Sequence, residues 1–124
     1  MIVTLELLFF LLYDILYMEV YMKYCMIEIA FDNEEEVNET INMLLKNRLV
    51  SGCQVVESNS KWRWKDKIEM SKEYLVFLKT KKDFLKEIYD VVRKIHNYEC
   101  FEFATFDLDS YNQEYLNWID EETK

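Results

Sequence analysis

The chain holds a single imidazole, His96. Imidazole is a common ligand for Cu(II) and Zn(II), but a metal centre needs several donors. The thiol of Cys100 lies four residues further on. A plainer role fits the same position. His96 stands where a helix should end, and a histidine in the last turn interacts favourably with the helix dipole. The three cysteines, Cys25, Cys53 and Cys100, are an odd number without CxxC spacing. Neither a disulfide framework nor a zinc module follows, and the expected compartment is reducing and cytoplasmic. Cys53 reads as a small buried hydrophobe. The acidic residues Asp107, Asp109, Asp120, Glu121 and Glu122 could gather hard cations. No D-x-D-x-D-G loop organises them, and a solvated surface accounts for them. No nucleophile–base pair, glycine-rich phosphate loop or H-E-x-x-H helix is present, so an enzyme is not expected.

The elements that must carry these residues belong to a small acidic chain. With 124 residues and 51% hydrophobic content it reads as one domain able to bury a core. A net charge of -9 argues against nucleic acid, where Lys and Arg must displace counterions from phosphate. The same charge argues against a polybasic membrane patch and is permissive for cations. With one glycine and no proline, tight turns must use Asn, Asp and Ser.

Residues 26–31, "MIEIAF", alternate as a short strand. Val37, Ile41, Leu44, Leu45 and Leu49 then mark one helical face. Asn33 with Glu36 forms a capping box before it. "SGCQVVES" and "SKWRWK" predict a long, bulged strand that turns at Asp66 and returns through "KIEMSKEYLVFLKT" as a β-hairpin. A second helix follows, started by Thr80 and Asp83. Its buried face is Phe84, Leu85, Ile88, Tyr89, Val92 and Ile95, and Asn97 closes it. "CFEFATFDL" is a strand. "SYNQEYLNWIDEE" is a short last helix, with a Ser110–Gln113 box and Tyr111, Tyr115, Trp118 and Ile119 as anchors. The order predicts an α+β class, a ferredoxin-like split βαβ sandwich with two helices on one face of an antiparallel sheet.

One strand breaks the pattern of such a sandwich. The sheet's far face should meet water and its strands alternate. In "YLVFL", Tyr74, Val76 and Leu78 point one way, while Leu75 and Phe77 point the other. Both faces call for burial, and another copy of the chain is the expected cover.

Residues 1–25, "MIVTLELLFFLLYDILYMEVYMKYC", form an apolar extension before the domain at 26–124. No basic residue precedes the apolar run, as a secretory signal requires. Glu6, Asp14 and Glu19 interrupt it, so no membrane span is expected. Three readings stand: a helix or strand packed on the domain or a partner, a translation-start artefact with Met26 the natural start, or a weak membrane-surface contact.

From Met26 onward the chain resembles the CutA divalent-cation tolerance proteins. "KNRLVSGCQVV" is similar to the family's "KRLAACVNI", and "SKWRWKDKIEMSKEYLVFLKT" to "SxYRWxGKIExxxExxLxxKT". "IHNYECFEF" is similar to "xHPYExPEI", and "YLNWIDEET" to the C-terminal "YLxWI". Asp66 stands where the family has Gly, Asn97 replaces the Pro of "HPY", and Cys100–Phe101 replace a small apolar residue plus Pro. Ala30 takes the place of a first-strand cysteine that some members use as a ligand. The resemblance implies a homotrimer engaged in divalent-metal tolerance, with a divalent cation such as Cu(II) as the possible cofactor and His96 as its ligand. It also implies an arm carrying Trp62 and Trp64 that reaches a neighbour. Trp62, Trp64, Tyr74 and Phe77 are then the trimer-interface candidates. Trp64, Lys67, Tyr98 and Glu102 read either as an intersubunit cleft for a small ligand or ion, or as interface packing with an ion pair. The alternative is a trimeric regulatory module resembling the nitrogen-regulatory PII proteins, which binds a metabolite or a protein.

Overall fold

The computed structural model describes residues 4–19 and 22–124; residues 1–3, 20 and 21 of the N-terminal extension lie outside the described residues. The elements in order are α1 (Leu5–Glu19), β1 (Tyr24–Phe31), α2 (Glu34–Lys46), β2 (Gly52–Trp64), β3 (Lys67–Lys81), α3 (Leu85–Ile95), β4 (Phe103–Asp107) and α4 (Gln113–Glu122). The four strands make one antiparallel sheet in the order β2–β3–β1–β4. This is the split βαβ arrangement predicted from the element order. The first strand begins at Tyr24, two residues earlier than expected, and Cys25 is fully buried in the core.

Alternation along the strands builds the core. Cys25, Ile27, Ile29 and Phe31 of β1 and Val76 and Leu78 of β3 share one face. Val37 and Leu44 of α2 and Ile88 and Val92 of α3 close over them. α2 starts as the sequence says: the Asn33 side chain accepts from the Glu36 N–H at 2.8 Å. It stops at Lys46, and a left-handed Arg48 (φ 55°) swings Leu49 back into the core. Its buried stripe is therefore Val37, Thr40 and Leu44, and Leu45 is exposed.

The β2–β3 ladder runs without a break from Gly52 opposite Lys79 to Trp64 opposite Lys67, so the expected bulge is absent. Lys65 and Asp66 form its two-residue turn, both with positive φ (49° and 64°). That twist matches the strands it joins. Beyond Tyr74, β3 has outrun β1, and residues 58–64 and 67–73 form a two-stranded arm.

Other local expectations give way to longer-range partners. Thr80 stays in β3, and its hydroxyl donates to the Leu49 carbonyl at 2.6 Å instead of starting α3. A 3-10 turn, Lys82–Phe84, leads into α3. Asn97 does not close that helix. α3 ends at an extended His96, and the Asn97 amide donates to Asp32 and Glu36. α4 is capped by Asn112 rather than Ser110. It is anchored by Leu116 and Ile119, while Tyr111 and Trp118 are exposed.

Trp118 nonetheless has a task. A Cβ placed on Gly52, the chain's one glycine, would sit 3.0 Å from the Trp118 indole. Gly52→Ala is therefore expected to displace the ring and lower stability by about 1–3 kcal/mol, read as a shift in the denaturation midpoint. Gly52→Ala combined with Trp118→Leu should recover part of that loss.

Register fixes what the other sheet face carries. Gln54, Val56, Ser58, Ser60, Trp62 and Trp64 of β2 lie with Glu69, Glu73, Leu75, Phe77 and Lys79 of β3. Met26, Glu28 and Ala30 of β1 and Ala104 and Phe106 of β4 continue the same face. α4 crosses only one end of it, through Trp118 over Gly52 and a 2.6 Å hydrogen bond from the Tyr24 hydroxyl to Asp120.

The extension forms the helix α1, whose Leu5 and Leu7–Tyr13 are exposed. Among the described residues no helix is long and apolar enough to cross a membrane.

Candidate functional site

His96 is held by local chain geometry and by distant packing. α3 ends one residue before it, and the extended backbone turns the ring inward. The ring lies between Phe31 (centroids 4.5 Å apart, 18° between planes) and Phe101 (4.8 Å, 16°), and the residue is only 4% exposed. Nε2–H donates to the Ala30 carbonyl at 2.6 Å, and Nδ1 accepts from the Tyr98 N–H at 3.1 Å. Both ring nitrogens are thereby engaged, and the pattern selects the neutral Nε2–H tautomer.

A metal ligand needs an in-plane lone pair free for the ion. His96 has none in this arrangement, so the copper implied by the resemblance does not fit here. The role the geometry supports is structural: the ring ties the loop after α3 to the end of β1. Arg93 fixes the same loop, donating to the carbonyls of His96, Tyr98 and Glu99 while its guanidinium lies over the Phe101 ring.

Burial lowers the His96 pKa from its ordinary 6.5; the Ala30 hydrogen bond and the Glu36 and Asp32 carboxylates oppose this, and Arg93 adds to it. A depressed histidine pKa means that the unfolded chain takes up its proton first as pH falls. Stability is therefore expected to be constant in this respect above pH 6.5 and to decline as pH drops from there through the folded value. Chemical denaturation from pH 7.5 to 5 checks this, with His96→Gln as the variant that should lose the slope.

The loop that His96 anchors forms one wall of a cleft on the open sheet face. The opposite wall is the β2 arm with Trp62 and Trp64, and the floor is formed by Glu28, Ala30, Glu73 and Leu75. Tyr98, Cys100, Phe101 and Glu102 line the loop side. Of the four cleft residues read from the sequence, Trp64, Tyr98 and Glu102 meet here. Lys67 does not: it sits opposite Trp64 at the far end of the arm, outside the lining. Lys65 instead bridges arm to loop, 3.3 Å from Glu99, an exposed pair of small energetic weight.

The interface candidates also divide. Trp62, Trp64 and Phe77 are on the open face, whereas Tyr74 faces the helices and packs on the core. The resemblance implied the arm; the carboxylate floor beside it was not expected. Glu28 interrupts an otherwise apolar strand, and Glu73 precedes "YLVFL", which is the signal that could have found them.

Electrostatics in the cleft are one-sided. The Tyr98 hydroxyl donates to Glu73 at 2.8 Å, and burial, then that hydrogen bond, pushes the phenol pKa up. Glu102 also titrates high, first because it is partly desolvated, then because Glu28 lies beside it and shares a hydrogen bond, with Glu73 adding repulsion. Two carboxylates in contact favour holding one proton between them. Among the described residues no group of three or more His, Cys, Asp or Glu side chains is arranged to hold a metal ion.

Comparison with known proteins places this architecture. The family model for the CutA1 divalent ion tolerance protein matches residues 25–122. The divalent-cation tolerance protein CutA of Pyrococcus horikoshii is 33% identical over 95 residues, covering 77% of this chain and 93% of that protein. Its counterpart in Thermotoga maritima is 35% identical over 92 residues, covering 74% and 91%. The crystal structure of CutA1 from Pyrococcus horikoshii superposes with a TM-score of 0.75 at 30% identity, over 81% of this chain and 98% of that one. With the family model spanning residues 25–122 and relatives at 33–35% identity over about three quarters of the chain, the chain belongs to the CutA1 divalent ion tolerance family.

Proposed function

We propose that the protein serves divalent-cation tolerance as a cytoplasmic homotrimer, binding cations or signalling through the cleft, and not as an enzyme. The observation that carries this is the open sheet face. Met26, Val56, Leu75, Phe77 and Phe106 lie on it, and among the described elements only α4 crosses one end. Val56 and Phe106 are exposed outright, and Leu75 and Phe77 are half-buried. Apolar side chains left in view on a sheet face, here interspersed with Glu28, Gln54 and Glu73, call for a neighbour of the same kind. Assembly through that face brings the arm, with Trp62 and Trp64, against the next copy.

The cation reading rests on Glu28 and Glu102. A divalent ion would replace the proton this pair favours, and carboxylate oxygens suit Mg2+, Ca2+ or Mn2+ better than copper. One chain supplies too few donors, so water or a second copy must complete the set. A second reading, a regulatory module of PII type that binds a metabolite, is favoured by the breadth of the cleft, which exceeds the needs of an ion.

Light scattering combined with a thermal-shift titration with MnCl2 tests the proposal. The expected results are three times the single-chain mass and a rise in melting temperature with Mn2+ that vanishes in Glu28→Gln/Glu102→Gln. A folded single chain at micromolar concentration would end the trimer reading. A shift surviving in the double variant would end the carboxylate reading.

A further inference from the structure

α1 lies outside the matched family region and shows most of its apolar surface to water. Leu5 and each residue from Leu7 to Tyr13 are 46–84% exposed. Exposed to that degree they present on the order of 800 Å2, above the 300–600 Å2 of the largest apolar patch on a typical monomer and equal to one partner's share of a standard interface. The helical period divides these residues. Leu7, Leu8, Leu11 and Leu12 recur at steps of one, three and four and make a broad leucine face. Glu6 and Tyr13, seven residues apart, mark the side opposite. Leu8 and Leu11 run along the middle of the leucine face, and the sequence keeps the same four–three rhythm at Ile15 and Met18. That rhythm is the a/d spacing of a seam between helices.

Charge and length narrow what can cover the leucines. An anionic lipid surface draws in helices that carry Lys and Arg on the far side. No Lys or Arg precedes Lys23, and Glu6, Asp14 and Glu19 would be repelled. The fifteen residues of α1 rise about 22 Å, short of the ~30 Å apolar core of a bilayer. At the root of α1 the open sheet face of its own chain already carries α4, joined to Tyr24 through Asp120. Like helices from other copies meet none of these obstacles, since Glu6 lies away from the seam. Copies related by a rotation axis also present their α1 helices in parallel. Residues 20–23 alone separate α1 from β1, so the helices of chains joined through their sheets stay near their roots, at millimolar effective concentration.

We infer that α1 packs in parallel with the α1 helices of two further copies as a three-helix bundle, with Leu8 and Leu11 nearest its axis and Glu6 and Tyr13 in water. This rests on the trimer reading and gives the extension a task within it. A helix of this length is too short to hold chains together unaided, so the bundle forms where the sheet faces have already gathered the copies and then resists their separation.

Cysteine cross-linking of the full chain, with light scattering on dilution, tests this. In a Cys100→Ser background, Leu8→Cys should form interchain disulfides within minutes in oxidised glutathione, and Tyr13→Cys at least tenfold more slowly. Leu8→Asp/Leu11→Asp touches no core residue and should raise the concentration at which the trimer dissociates at least tenfold. A trimer in which Leu8→Cys does not cross-link overturns the inference and leaves the sheet-face assembly standing. Equal cross-linking at both positions also overturns it, because it would mark random collisions of greasy helices. So does a dissociation point unmoved by the two aspartates. A wild-type chain that scatters as a single chain removes the trimer reading and the bundle together.

Discussion

Replacing His96 with alanine is expected to lower the stability of the fold by about 3 kcal/mol, which for a domain of this size is roughly a 10 °C fall in melting temperature. Three losses combine. The ring leaves a void between Phe31 and Phe101, whose faces it separates at 4.5 and 4.8 Å. The Ala30 carbonyl and the Tyr98 N–H lose their partners in a region closed to water. The loop from Asn97 to Glu102 is then tied to α3 by Arg93 and by the Tyr89–Phe101 stack, without the ring that fills the space behind it. Differential scanning calorimetry reads the loss. Titrating wild type and variant with CuCl2 below the variant's melting temperature separates this role from metal ligation. A structural histidine leaves the affinity unaltered, whereas a tenfold or greater drop would make the ring a ligand after all.

Phe77→Asp should have the larger effect on assembly. Phe77 lies mid-face on β3, between Glu28 on β1 and Gln54 on β2, and is half-buried within one chain. In the proposed trimer a further carboxylate there, beside Glu28, would be carried into the seam three times. Each unpaired charge costs several kcal/mol to desolvate. The expected outcome at micromolar concentration is conversion from triple to single-chain mass with the helical circular dichroism retained. Asn38→Asp, exposed on α2, is the control and should leave the mass unchanged. If Phe77→Asp remained trimeric, the sheet face would not be the contact surface.

Much of this fold could be read from residue order because its signals are local. The Asn33–Glu36 cap, the α3 stripe through Ile88 and Val92, and the hairpin reversing at Asp66 each depend on neighbours within a few positions. The two-sided apolar run at 74–78 is the strand that places Leu75 and Phe77 on the face opposite the helices. Misreadings arose where a distant partner outcompeted a nearby one. Thr80 could cap α3, yet its hydroxyl goes to Leu49, 31 residues away. Asn97 could end the helix, yet it joins Asp32 and Glu36. His96 looked available to a metal because sequence does not reveal that the Ala30 carbonyl, 66 positions upstream, is waiting for its proton. The same limit applies to the cleft. Glu28, Glu73 and Glu102 come from three segments and acquire a joint meaning only when the sheet aligns them.

The arm beyond Tyr74 has a consequence for following the protein in solution. From Ser58 and Glu73 to Trp64 and Lys67 the ladder has two strands and no third, and such a ribbon is marginal in water by itself. Its amides should therefore exchange with deuterium far sooner than those of Ile27 or Val76 when chains are apart, and slow down once a neighbour lies across them. Under the proposed assembly, exchange in the ribbon is thus a built-in gauge of whether a neighbour lies across it at a given dilution.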